Sequence, residues 1–178
     1  VVGASALRPE ISRLFSAGKV RIIEGYGMTE MAPLISINRL EPGIYRSGSV
    51  GMSIPGVEIK IDDPDENETG EILVKGPNLM LGYYQKKELT QISITPDGWL
   101  KTGDIGRMGE KRFLYITDRK KDIFKTSSGK YISPLPIQLH FEQSPFILRC
   151  LILGFQKPYV TALIVPNFEL LETWCKKN

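Results

Sequence analysis

From about residue 33 to residue 115 the apolar residues come in short runs, cut off by glycine, proline, asparagine or aspartate. That texture calls for short strands joined by tight turns. Residues 57–61 alternate as a strand does, Asp62-Asp63-Pro64-Asp65-Glu66-Asn67-Glu68-Thr69-Gly70 is a polar turn, and residues 71–75 form the return strand. Further strand-like pieces lie at 99–101 and 112–117, with a turn near Gly109, and residues 87–93 read as a short helix. The pattern predicts a small, mostly antiparallel β subdomain resembling a barrel.

The flanks read differently. Residues 9–17 form an amphipathic helix: Pro9 suits a first turn, Ile11, Leu14 and Phe15 share a face, and Gly18 ends it. The β-branched run 20–24 suits a buried strand, and it delivers the following Gly-Tyr-Gly to a strand's carboxyl end, where open α/β sheets bind ligands. After Arg119, residues 123–125 and 131–132 flank the turn Thr126-Ser127-Ser128-Gly129 as a hairpin. Ser133 and Pro134 then supply an N-cap and first position for a helix over 135–143. Residues 148–153 and 159–165 read as strands, and 168–176 as a last helix. The class is α+β, in three parts: residues 1–32 as the end of a larger α/β subdomain, 33–118 as the β-rich subdomain, and 119–178 as a small, truncated α/β domain. The chain opens on Val1 without a signal-peptide pattern and stops in or after a helix, which reads as a piece of a longer polypeptide.

The composition, 42% apolar and 24% charged with a net charge of +3, is that of a globular protein and does not by itself call for nucleic acid. No apolar run approaches the length of a membrane span. Cys150 and Cys175 lie far apart without metal-site spacing, so free thiols in a reducing, cytoplasmic setting are expected. The lone His140 reads as a surface or packing residue. Basic residues gather between Arg107 and Lys130, interleaved with Asp104, Glu110, Asp118 and Asp122, which describes either a solvated mixed face or a site for an anion.

Three stretches supply the chemistry of a nucleotide site. In Gly25-Tyr26-Gly27-Met28-Thr29-Glu30 an exposed ring between glycines can stack on a purine. The Thr29 hydroxyl can reach a phosphate oxygen, and the Glu30 carboxylate is a natural magnesium ligand. In Gly98-Trp99-Leu100-Lys101-Thr102-Gly103-Asp104 a carboxylate can accept from two vicinal ribose hydroxyls, and otherwise forms an Asx turn. In Thr117-Asp118-Arg119-Lys120-Lys121-Asp122, running on to Gly129-Lys130, Arg119 suits a ribose or phosphate oxygen. Lys125 and Lys130 flank the hairpin tip, where they either meet an anionic substrate or keep the tip solvated.

These motifs, in this order, resemble the acyl-adenylate-forming enzymes, the superfamily of acyl-CoA synthetases, adenylation domains and firefly luciferases. Asp118-Arg119-Lys120-Lys121-Asp122-Ile123-Phe124-Lys125-Thr126, followed by Gly129-Lys130-Tyr131-Ile132-Ser133-Pro134, is most similar to the long-chain fatty acyl-CoA synthetases. So are Val2-Gly3-Ala4-Ser5-Ala6-Leu7 and Thr161-Ala162-Leu163-Ile164-Val165-Pro166. The resemblance implies a carboxylate attacking the α-phosphate of ATP to give acyl-AMP and pyrophosphate, then the CoA thiol displacing AMP. It implies Tyr26 on adenine, with Gly25, Gly27 and Gly129 among the nucleotide contacts, Thr29 at phosphate, Glu30 at Mg2+, and Asp104 and Arg119 at ribose. Gly3 and Ala4 would lie between nucleotide and acyl tunnel. Lys121 would be the hinge, and the Lys125 hairpin would enter the site for thioester formation. Fatty acid, ATP and CoA are the implied partners, without nucleic acid, and peripheral membrane contact suits greasy substrates.

The family's phosphate loop and its catalytic Lys near the C-terminus are absent from these residues, so the segment alone is expected to be inactive. Ser128 and Gln138 replace a common Gly and Glu. Two competing readings are an adenylation domain loading a carrier protein and a non-catalytic nucleotide-binding module.

Overall fold

The computed structural model describes Gly3, Leu7 and residues 9–177. It divides into two compact units, Val1–Ile116 and Thr117–Asn178.

In the first unit, α1 (Pro9–Ala17) leads by an unpaired extended stretch to β1 (Gly25–Gly27). The strand expected over 20–24 does not form. Only Glu24 makes a bridge, because a β-branched run becomes a strand only where a partner supplies the ladder, and pairing starts with Gly25 opposite Ile37. On α1 the expected apolar face is not the buried one: Leu14 and Phe15 are exposed, whereas Ser12 is buried and its Oγ lies 3.0 Å from that of Ser47.

β1, β2 (Leu34–Ile37) and β3 (Met52–Ser53) form an antiparallel sheet in that order. The predicted hairpin over 57–75 forms as β4 (Glu58–Asp62) and β5 (Thr69–Lys75), in register from Glu58 opposite Lys75 to Asp62 opposite Glu71. The turn is held by Asp65, whose Oδ1 accepts the N–H groups of Asn67 and Thr69. α2 (Lys87–Ser93) falls where expected. β6 (Leu100–Met108) and β7 (Leu114–Arg119) complete a sheet of order β4-β5-β6-β7. Leu114 of β7 exchanges backbone hydrogen bonds with Val50 and Gly51 beside β3, but no strand of one sheet ladders with a strand of the other, so the barrel-like expectation is corrected: among the described residues no barrel closes.

The core lies between the faces of these sheets. Tyr26, Met31 and Ile35 meet Val57, Ile59, Ile72, Val74, Leu100 and Leu114. Alternation puts Ile72 and Val74 inward from one strand, and Ile72 is fully buried.

In the second unit β8 (Phe124–Lys125) and β9 (Tyr131–Ile132) make the expected hairpin. α3 (Pro134–Phe141), β10 (Ile147–Leu153), β11 (Thr161–Pro166) and α4 (Phe168–Lys177) follow. A small core joins Ile132, Cys150 and Ile152. Ser133 precedes α3, but its hydroxyl does not cap the helix; it donates to Asp118 Oδ2, because that buried carboxylate is the stronger acceptor.

Replacing Ile72 by Ala removes a branched side chain at the centre of the first core and should cost about 2–5 kcal/mol. Urea unfolding of the two proteins measures it, and a loss under about 1 kcal/mol would contradict this core assignment.

Candidate functional site

The motif loop is shaped by close approach. An added Cβ on Gly27 would lie 1.9 Å from the Pro33 carbonyl oxygen, so only glycine lets the strand pass there. The same carbonyl accepts the Met28 N–H at 2.7 Å. Residues Thr29–Met31 form a single 3-10 turn whose last side chain, Met31, is driven wholly into the core. The turn therefore presents Thr29 exposed and Glu30 half-buried. Gly25 is paired in β1, where an added Cβ would sit 3.4 Å from the Ser36 carbonyl oxygen.

Tyr26 departs from expectation. Its ring is only 8% exposed and belongs to the core, because alternation along β1 turns it toward the facing sheet. The hydroxyl donates to Asp104 Oδ2 at 2.7 Å, bringing together residues 78 positions apart. Asp104 is itself 5% exposed. It comes from a bulge in β6: Leu73 pairs with Lys101 and Glu71 with Ile105, and Gly103 takes a φ of 72° between them. The Asp104 N–H donates to Thr102 Oγ1, and the Gly103 N–H to Glu71 Oε1. Asp104 therefore sits on a bulged strand and not in a simple Asx turn.

Glu30 accepts the Tyr83 hydroxyl on Oε1 at 2.8 Å, and its backbone carbonyl accepts the Met80 N–H at 2.8 Å. Asn78 Nδ2 donates to the Met31 and Leu34 carbonyls. Sequence reasoning did not single out Tyr83 or Asn78; the signal available was Leu81-Gly82-Tyr83-Tyr84, where Gly82 has a φ of 144°.

Glu24, just before the motif, was likewise missed. It is buried, with Oε1 lacking a hydrogen-bond partner among the described residues. Burial pushes its pKa up from the usual 4.5, and a Gly48 N–H bonded to the carboxyl pulls it partly back.

The described residues hold no group of three metal-ligating side chains. One carboxylate beside a hydroxyl, with phosphate and water completing the shell, is an ordinary magnesium arrangement, so Glu30 and Thr29 fit a cation held jointly with a nucleotide.

The remaining candidates belong to the second unit, Gly3 and Ala4 excepted. Ala4 lies outside the described residues; Gly3 is exposed, with an added Cβ 3.6 Å from the Gly25 carbonyl oxygen. Arg119 and Lys121 are exposed, and the Arg119 N–H donates to Asp118 Oδ1 at 2.7 Å. Lys125 holds its ammonium 5.2 Å from the centre of the Tyr131 ring, its partner in the strand pair next to the turn. Gly129 takes the tip at a φ of 88°, its N–H donating to the Thr126 carbonyl. Lys130 donates its N–H to Thr126 Oγ1.

Residues 1–84 match the family described as AMP-binding enzyme. The long-chain-fatty-acid--CoA ligase FadD15 of Mycobacterium bovis is 33% identical over all 178 residues, which cover 28% of that protein. A long-chain-fatty-acid--CoA ligase of Escherichia coli is 44% identical over 138 residues, 75% of this chain and 24% of its own. Among solved structures, the o-succinylbenzoate CoA synthetase of Bacillus subtilis, in complex with its acyl-adenylate intermediate, superposes with a TM-score of 0.81 at 27% identity. That superposition covers 99% of this chain and 38% of the synthetase. The chain thus spans about a quarter of the length of these curated relatives.

Two substitutions test this geometry. Gly27→Ala should dislodge the loop from Pro33 and cost about 2–4 kcal/mol, read by urea unfolding; a neutral variant would deny the close approach. For Glu24, a folded-state pKa above the unfolded 4.5 means stability that is full below about pH 4.5 and lost as pH rises through the folded value. Glu24→Gln should therefore match the original chain near pH 4 and become the more stable of the two by pH 7. An unchanging difference across that range would show that the carboxyl does not titrate with folding.

Proposed function

Starting from the chain's kinship with the AMP-binding, acyl-adenylate-forming enzymes, we propose that it is a segment of an ATP-dependent long-chain fatty acid–CoA ligase. The observation that carries the reading is the Tyr26–Asp104 hydrogen bond, which joins the two motifs read as base and ribose contacts. Support for a fatty acid and CoA comes from the ligases matched above.

The reaction forms a bond from a fatty acid carboxylate oxygen to the α-phosphorus of ATP and expels pyrophosphate. The CoA sulfur then bonds to the acyl carbon, and AMP leaves with the phosphate oxygen. In this reading Asp104 accepts from the ribose hydroxyls, its carboxylate held by the Tyr26 hydroxyl, and Tyr26 keeps the adenine contact that the resemblance implies. Thr29 donates to a phosphate oxygen from the exposed end of its turn. Glu30 would hold Mg2+, which supplies neutralisation of phosphate charge when bound. Residues 1–32, 33–118 and 119–178 are read as the end of a larger α/β subdomain, a β-rich subdomain and a small mobile domain, and the division after Ile116 supports the second of these boundaries. Arg119, Lys125 and Gly129 keep their implied ribose, catalytic and nucleotide roles, and Lys121 that of hinge.

Free Cys150 and Cys175 fit a reducing, cytoplasmic setting. No helix among the described residues is long and apolar enough to cross a membrane. Peripheral membrane contact is proposed on the nature of the substrate alone.

The full-length protein should release AMP from ATP with Mg2+ and a long-chain fatty acid, and turn over only when CoA is added. Asp104→Ala should raise the KM for ATP by about 10- to 100-fold, the loss of a charged hydrogen-bonding group. Release driven by a carrier protein in place of CoA would favour an adenylation domain. ATP–pyrophosphate exchange by the 178-residue chain alone would overturn the prediction that this segment is inactive.

A further inference from the structure

The segment after β5 grips the motif loop at several points. Asn78 binds the Met31 and Leu34 carbonyls, the Met80 N–H binds the Glu30 carbonyl, and the Tyr83 hydroxyl binds Glu30 Oε1 at 2.8 Å. The first three are ties to backbone. The fourth alone reaches a side chain, and that side chain is the proposed cation ligand.

Tyr83 is itself fixed. Its N–H donates to Thr90 Oγ1 on α2 at 2.9 Å, and the Thr90 hydroxyl donates to the Lys86 carbonyl at 3.0 Å. The preceding Gly82 has a φ of 144°, and an added Cβ there would lie 2.8 Å from Thr90 Cγ2. The phenol thus stands on a rigid mount. A phenol is an O–H donor at neutral pH, and here its acceptor is Glu30 Oε1.

We propose that Tyr83 is a positioning residue for Glu30: its hydroxyl fixes Oε1 and thereby orients the carboxylate, leaving Oε2 to the divalent cation that accompanies the nucleotide phosphates. The inference rests on the reading of Glu30 as the magnesium ligand. A glutamate has three rotatable bonds, and a carboxylate that must find its orientation at each binding event pays that entropy in affinity. An outer donor that holds one oxygen removes the search, as partners of metal ligands do generally. Because the Met80 N–H already ties the Glu30 backbone, the loop keeps its anchor when the phenol oxygen is removed.

The experiment uses the full-length protein with Mn2+ as probe. Free Mn2+ is followed by electron paramagnetic resonance in the presence of a non-hydrolysable ATP analogue, for the original protein, Y83F, E30Q and the double variant. Binding of the same analogue in EDTA is measured alongside. All four are compared well below their melting midpoints, and the E30Q background keeps the comparison open if Y83F alone is poorly stable.

Y83F should weaken Mn2+–nucleotide binding by about tenfold, change metal-free binding by less than about twofold, and add nothing in the E30Q background. If E30Q loses the metal while Y83F binds it like the original, the Tyr83 role is overturned and Glu30 stands. If E30Q binds Mn2+ normally, the reading of Glu30 fails and the inference with it. If Y83F weakens binding equally with and without metal, the phenol is only a structural tie and the inference is overturned.

Discussion

The buried hydrogen bond from Tyr26 to Asp104 is the constraint on which the first unit turns. A carboxylate 5% exposed is costly unless a donor meets it, and a phenol 8% exposed likewise needs an acceptor. Each satisfies the other. The pairing fixes β1 relative to β6, and hence one sheet relative to the next, more sharply than apolar contact can, because a hydrogen bond is directional whereas packing of Ile35, Ile72 and Leu100 tolerates sliding. The bulge at Gly103 gives β6 two residues more than β5 between Lys101 and Ile105, so the alternation is kept and Asp104 is buried as Leu100 is.

What was legible in the sequence follows from range. The hairpin of β4 and β5, α2, the hairpin of β8 and β9, and α3 rest on contacts between neighbours in sequence, and period, turn residues and Pro134 announced them. The failures rest on distant partners. Residues 20–23 have strand composition but no ladder, and Leu14 and Phe15 have helical spacing but no cover. Ser133 sits where a cap should, yet bonds a carboxylate fifteen residues back.

The site divides the same way. Glycines in Gly25-Tyr26-Gly27 pointed to close backbone approach, and Gly27 is pressed against Pro33. The same reasoning set Tyr26 facing outward, because a ring between two glycines reads as exposed until the sheet opposite is known. Tyr83 left only the local signal of Leu-Gly-Tyr-Tyr, which does not name its partner: the hydroxyl bonds Glu30, 53 positions back in the chain.

Two buried side-chain oxygens lack a hydrogen-bond partner among the described residues, Glu24 Oε1 and Asn78 Oδ1. Both border the same loop. Glu24 immediately precedes Gly25, and Asn78 holds Met31 and Leu34 through its other terminal atom. An orphaned buried acceptor costs about 1–3 kcal/mol, so a chain under selection for stability alone would be expected to scatter or remove such atoms. Their convergence on residues 24–34 instead places the unsatisfied polarity of the first unit around the segment that supplies Tyr26, Thr29 and Glu30. Departures from full satisfaction concentrate where a sequence serves something other than its own folding. The loop is held by backbone ties all the same, the Met28 N–H on the Pro33 carbonyl and the Met80 N–H on the Glu30 carbonyl, with Met31 fully buried.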